Sequence, residues 1–171
     1  MKLHIGCKGE AIPGFKRLDI VQHGDVDFVR DAKDLTCFKD GEVEEIYASH
    51  ILEHFPKTET DKVLTEWARV LKPGGIIHIA VPDFDAIVAI YLKSGRMMTT
   101  WLDHLIHGDQ LTPFDFHYHC FTYQTFSHYL SKAGFGRIEK LKYMPYGLKD
   151  ASGITDSWFN IPISLNIKAV K

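Results

Sequence analysis

With 171 residues the chain is long enough to bury one core and too short for several domains. A formal charge of −2 excludes nucleic-acid binding through a broad basic surface, and 45% hydrophobic with 25% charged residues excludes a disordered or fibrous chain. Three scattered cysteines, Cys7, Cys37 and Cys120, make neither a disulfide framework nor a C-x-x-C zinc motif, and read as reduced thiols of a cytoplasmic protein.

Met1-Lys2 leads straight into a first strand over residues 3–7, so no leader is expected. No apolar run reaches the length of a membrane span. Strands follow over 17–21 and, more weakly, 26–30, then over 45–49 and, most clearly, 76–81. Between the last two, Val63, Leu64, Trp67, Val70 and Leu71 share one helical face. Thr58 and Asp61 are expected to form a capping box at its start, and Pro73-Gly74-Gly75 to stop it. Helical patterns continue over 83–93, broken by Ser94-Gly95, and over 99–106, ahead of a polar, aromatic loop over 108–121. Phe126, Tyr129, Leu130 and Ala133 mark a last amphipathic helix, closed by Gly134. Strands over 137–143 and 163–170 finish the chain.

Strands alternating with helices predict one α/β domain over 1–171 with a mostly parallel sheet. Ligands then sit at the carboxyl ends of the strands, near the switch point. The loops after Ile5, Ile20, Arg30, Ser49 and Val81 would surround one pocket, and segment 94–121 would shape its acceptor side.

Four features in a fixed order carry the chemistry. The turn Gly6-Cys7-Lys8-Gly9 lets backbone approach a ligand closely. Asp19 ends the second strand, where a carboxylate can accept from both hydroxyls of a ribose. Asp31-Ala32 follows the third strand and could meet an adenine edge. Last come Ser49-His50-Ile51-Leu52-Glu53-His54, the helix ending Val70-Leu71-Lys72-Pro73-Gly74-Gly75, and the strand ending Val81-Pro82-Asp83.

In this order the motifs resemble the class I S-adenosylmethionine-dependent methyltransferases, nearest the small type 11-like group that opens with a Leu-Asn-Leu-Gly-Cys-Gly type turn. Ile12-Pro13-Gly14-Phe15 ahead of Asp19, the Ala133-Gly134-Phe135 helix stop and the closing Ser164-Leu165-Asn166-Ile167 are similar to that group too. The resemblance implies a Rossmann-like α/β fold of seven strands, mostly parallel with the last antiparallel, and helices on both faces. It implies S-adenosyl-L-methionine as cofactor, with Gly6, Cys7 and Lys8 beside its methionine part and Asp19 and Ile20 at the ribose. Asp31 and Ala32 would take the adenine, and Ser49 and His50 the region near the sulfonium. His4 departs from the usual Asp or Asn, and Lys8 from a second glycine. The lysine could pair with the cofactor's carboxylate or crowd the site. Pro13-Gly14, so soon after the turn, leaves room only for a very short first helix with little dipole.

The expected activity is methyl transfer to a small or medium acceptor, by O- or N-methylation. Small-molecule, glycan, lipid-linked and peptide acceptors stay open, and nucleic acid is not expected. In-line displacement relies on near-attack placement, and a hydroxyl acceptor also needs a base. His50, Asp83 and His117 are the first candidates, with His54 and His119 beside them. With little beyond the core fold, the chain would leave the pocket open, which suits a bulky acceptor or completion by a second subunit in a homodimer. The rival reading is a non-catalytic S-adenosylmethionine-binding or degenerate domain acting as sensor or scaffold. A nicotinamide-dependent reductase would share Asp19 but needs a G-x-G-x-x-G turn that the chain lacks.

His50 to His54 also spells H-x-x-E-H, a zinc-peptidase pattern, yet Pro56 prevents the long helix that pattern requires. His117-Tyr118-His119 has the spacing to chelate on one face of a strand, against which stand a substrate wall and a solvated loop. No metal is assigned from the sequence. Trp158 and Phe159 are expected to be partly exposed.

Overall fold

Period-two alternation of apolar side chains organises the molecule, which is described over residues 1–171 by a computed structural model. Its strands are β1 (Lys2–Ile5), β2 (Phe15–Asp19), β3 (Phe28–Val29), β4 (Val43–Ser49), β5 (Leu71–Pro82), β6 (Gly136–Leu141) and β7 (Ser164–Val170). Its helices are α1 (Lys57–Val70), α2 (Phe84–Lys93), α3 (Thr100–His107) and α4 (Tyr123–Lys132). The strands form one sheet in the order β3-β2-β1-β4-β5-β7-β6. β1 to β5 pair in parallel, whereas β7 runs antiparallel to both β5 and β6.

Register turns this alternation into two unlike faces. Leu3, Ile46, Ile77 and Ala169 align across β1, β4, β5 and β7, as do Ile5, Ala48, Ile79 and Ile167. These rows pack with Val63, Leu64 and Trp67 of α1 and with Phe126 and Leu130 of α4 into the main core. The residues between them point the other way: His4, Tyr47, His78 and Lys168 form a polar row, His4 to His78 of it buried. Segment 144–153 covers it, with Tyr47 hydroxyl donating to Asp150 at 2.6 Å and Met144 and Leu148 packing beside Ile12, Phe15 and Tyr47. Helices α2 and α3 pack together with Ile163 in a smaller apolar cluster.

Three local expectations are corrected. No helix forms between β1 and β2, where Pro13 and Gly14 hold the chain in turns. The Thr58–Asp61 capping box does not form: α1 begins two residues earlier than that box would set, at Lys57 after Pro56, with no side-chain cap, and Asp61 instead pairs with Lys132 of α4. The helix ends at Val70, not at the glycines. Leu71 is already extended, and β5 takes in Pro73-Gly74-Gly75, with Gly74 at φ +75°.

Candidate active site

At the carboxyl edge of β1, β2 and β4 the chain encloses a cavity of about 700 Å³. One wall is the turn after β1. Gly6 sits at φ +68°, and a Cβ there would lie 1.9 Å from Ile51 Cδ1, so only glycine fits without displacing that side chain. Asp19, 6% exposed, closes the turn: its Oδ2 accepts from Lys8 N at 2.8 Å and its Oδ1 from Val21 N at 3.0 Å. Lys8 adopts a left-handed φ of 45° there. Ile20, Val21 and His23 continue this wall, with Arg30, Asp31, Ala32 and Lys33 after β3. The Trp67 indole donates to Ala32 O at 2.8 Å and so fixes the end of that stretch to α1.

His50, Ile51, His54, Phe55 and Pro56 form the opposite wall, and Phe114, Asp115 and Tyr118 of the long loop close it. Tyr118 N donates to Glu53 O at 2.8 Å, and His117 N to His107 O at 3.0 Å, so the loop is stitched to the turn after β4 and to the end of α3. This brings His117 against His54, ring centroids 4.8 Å apart, with Glu53 wholly buried beside them.

The proton positions in this group follow from fixed partners. Ser164 hydroxyl donates to Ala151 O at 2.9 Å, so His50 Nε2 donates to Ser164 Oγ at 2.8 Å. His50 Nδ1 stands 3.1 Å from Glu53 Oε1. Burial pushes the Glu53 carboxyl up, but His50, His54 and His117 outweigh it and hold the group below the usual carboxylate range. Burial pushes the His117 imidazole down, with Glu53 opposing.

The structure thus gathers Gly6, Lys8, Asp19, Ile20, Asp31, Ala32 and His50 around one cavity. Cys7 lies beneath the turn, 2% exposed, its thiol pushed up by burial, and is not part of the wall. Ser49 is likewise off the wall, its hydroxyl buried without a partner. Asp83 caps α2, accepting from Asp85 N at 3.1 Å, and pairs with Lys140 at 3.0 Å, away from the cavity. His117 stands behind the wall, and His119 faces elsewhere, toward Thr60, Phe121 and Tyr129, so the two do not chelate together. Among the residues of this polar, aromatic loop, the sequence does not single out Phe114 and Tyr118 as the ones that line the cavity, because loop aromatics carry no periodic signal.

A seven-stranded sheet of this order, with a reversed β7 and a ligand-sized cavity over its carboxyl edge, defines the Rossmann-like methyltransferase fold. Residues 14–79 match the family model described as a methyltransferase domain. Solved structures agree in fold. A SAM-dependent methyltransferase from Archaeoglobus fulgidus is 18% identical, with 99% of this chain and 85% of that one covered and a TM-score of 0.61. A Thermotoga maritima protein described as a possible histamine N-methyltransferase is 17% identical, at 99% and 81% coverage and a TM-score of 0.63. The 1,6-didemethyltoxoflavin-N1-methyltransferase of Burkholderia thailandensis, solved with S-adenosylhomocysteine, is 13% identical, at 92% and 60% coverage and a TM-score of 0.58. No protein of curated function matches the sequence. Over residues 14–79 the chain is thus similar to the methyltransferase domain family, and over nearly its whole length it shares the fold of S-adenosylmethionine-dependent methyltransferases.

Proposed function

We propose that the chain methylates an oxygen or nitrogen of a small or medium acceptor, with S-adenosylmethionine and acceptor side by side in the cavity of about 700 Å³. The observation that carries this reading is Asp19: a buried carboxylate on the cavity wall, each oxygen anchored by one backbone N–H and keeping further lone pairs for ribose hydroxyls. Gly6 lets the backbone approach the methionine part, Lys8 reaches toward its carboxylate, and Asp31 and Ala32 flank the adenine. The cofactor supplies a methyl group on a cationic sulfur, open to in-line attack.

His50 and His54 wall the acceptor end. His50 is held on both sides by Ser164 and Glu53, which positions it. His54 donates Nδ1–H to Phe116 O at 3.1 Å and so keeps an Nε2 lone pair for an acceptor proton. Phe114 and Tyr118, both about half exposed, give the acceptor an aromatic surface at an open mouth. A ring-bearing, glycan or lipid-type acceptor suits that mouth, and a second copy of the chain could close it. No helix is long and apolar enough to cross a membrane, and the three unbridged cysteines favour a cytoplasmic setting.

Calorimetric titration with S-adenosylmethionine and, separately, S-adenosylhomocysteine tests the reading. Micromolar binding is expected, abolished in Asp19→Ala and weakened in Asp19→Asn. Neither heat nor a thermal shift with the folded protein would overturn it and leave the scaffold reading in its place.

A further inference from the structure

Glu53 presents a problem that the methyl-transfer reading does not solve. It is 0% exposed, and neither carboxylate oxygen receives an aligned hydrogen bond, although His50 Nδ1 stands 3.1 Å from Oε1. A buried carboxylate without donors is costly unless a cation satisfies it. Two imidazoles share its pocket. An oxygen of Glu53 and a ring nitrogen each of His54 and His117 lie within 4.8 Å of one another.

Both rings are fixed in one tautomer by acceptors that cannot donate. His54 Nδ1–H goes to Phe116 O at 3.1 Å, and His117 Nδ1–H to Leu105 O at 3.0 Å. Each neutral ring therefore carries its lone pair on Nε2. A second nitrogen tied to a backbone carbonyl is the outer-shell arrangement that orients metal-bound histidines. His104, the other ring near His117, is engaged with Asp109 at 2.7 Å and takes no part.

We propose that Glu53, His54 and His117 bind one divalent transition-metal ion of the zinc class. Two imidazoles and a carboxylate form a donor set such ions favour. With bonds of ~2.1 Å, a tetrahedral site spaces its ligand atoms about 3.4 Å apart, so closure from the present spacing needs side-chain shifts of an ångström or so. The set differs from the one the H-x-x-E-H pattern would predict. His50 is occupied by Ser164 and Glu53, and the second histidine comes from the distant loop. Because His54 also walls the cavity, an exogenous ligand reaches the ion from the acceptor end. Resting on the proposed function for its role alone, the site selects acceptors with a metal-binding oxygen or nitrogen, which the ion polarises in place of proton removal by His54.

The test uses chelator-treated whole protein without cofactor, titrated with Co²⁺ by visible absorption and then with Zn²⁺ by competition. One tight equivalent is expected, with affinity at least tenfold weaker in Glu53→Gln, His54→Ala and His117→Ala, and unchanged in His119→Ala. Zn²⁺-soaked crystals of the unaltered protein give a readout independent of variant folding: an anomalous peak should lie between the three side chains. No peak there, or binding undiminished in the three folded variants, overturns the site. Cofactor binding is measured separately through Asp19, so failure of one proposal leaves the other standing.

Discussion

Gly6 and Lys8 occupy the same turn with left-handed φ values of 68° and 45°, but only one of them lacks a Cβ. A side chain in that region costs about 1 kcal/mol, so Lys8→Gly should raise stability in urea unfolding by ~0.5–1 kcal/mol. If the lysine holds the cofactor's carboxylate, the same variant binds S-adenosylmethionine several-fold more weakly; tighter binding would mean that the lysine crowds the site. Gly6→Ala adds overpacking to strain, because the new methyl meets Ile51 Cδ1 at 1.9 Å. It should lower stability by about 2 kcal/mol and impair cofactor binding in the same calorimetric titration. The need for glycine at position 6 was readable from the sequence, since a turn that approaches a ligand demands it. The left-handed lysine was not, because nothing local favours it.

Among the elements, α2 and the long loop decide which candidates can act. Asp83 follows β5, where a base is plausible by position, but its carboxylate caps α2 and pairs with Lys140. Asp83→Ala should therefore cost about 1 kcal/mol in thermal or chemical unfolding and leave S-adenosylmethionine affinity unchanged. A loss of affinity without loss of stability would return Asp83 to the site. The loop depends on Gly108 at φ +77°, where a Cβ would lie 1.8 Å from Asp115 O. Backbone cannot yield there as a flexible side chain can, so Gly108→Ala should displace the 112–118 stretch. A lowered Tm and faster proteolysis within that loop are the expected signs. The failed capping box teaches the same lesson: Asp61 had an alternative partner, Lys132, on a helix that local spacing does not reveal.

For the whole molecule, the polar second face of the sheet sets a pH limit. His4 is 3% exposed, its Nδ1 unpartnered, its ring edge-on to Tyr47 with centroids 5.2 Å apart. Burial lowers it from 6.5 to about 4. The folded state therefore disfavours the charged ring, and the stability this contributes is complete above pH 6.5 and lost as pH falls toward 4. The full loss is on the order of 3 kcal/mol. Urea unfolding measured between those limits should show this slope, flattened in His4→Phe, which keeps a ring against Tyr47; an unchanged slope would assign the loss to other groups.

The strands, the helices and the order of the motifs are legible in the chain alone, because apolar periodicity and glycine or proline stops act over a few residues. It also places Gly6, Asp19 and Asp31 at strand ends, which parallel crossovers gather at one edge. What those residues meet depends on how distant segments fold against them. Segment 144–153 covers the row of His4, Tyr47 and His78, and the 112–118 stretch carries Tyr118 to the cavity and His117 to Glu53 and His54. Those contacts join positions far apart in the chain through side chains with no repeating pattern. Packing, not local preference, selects their partners.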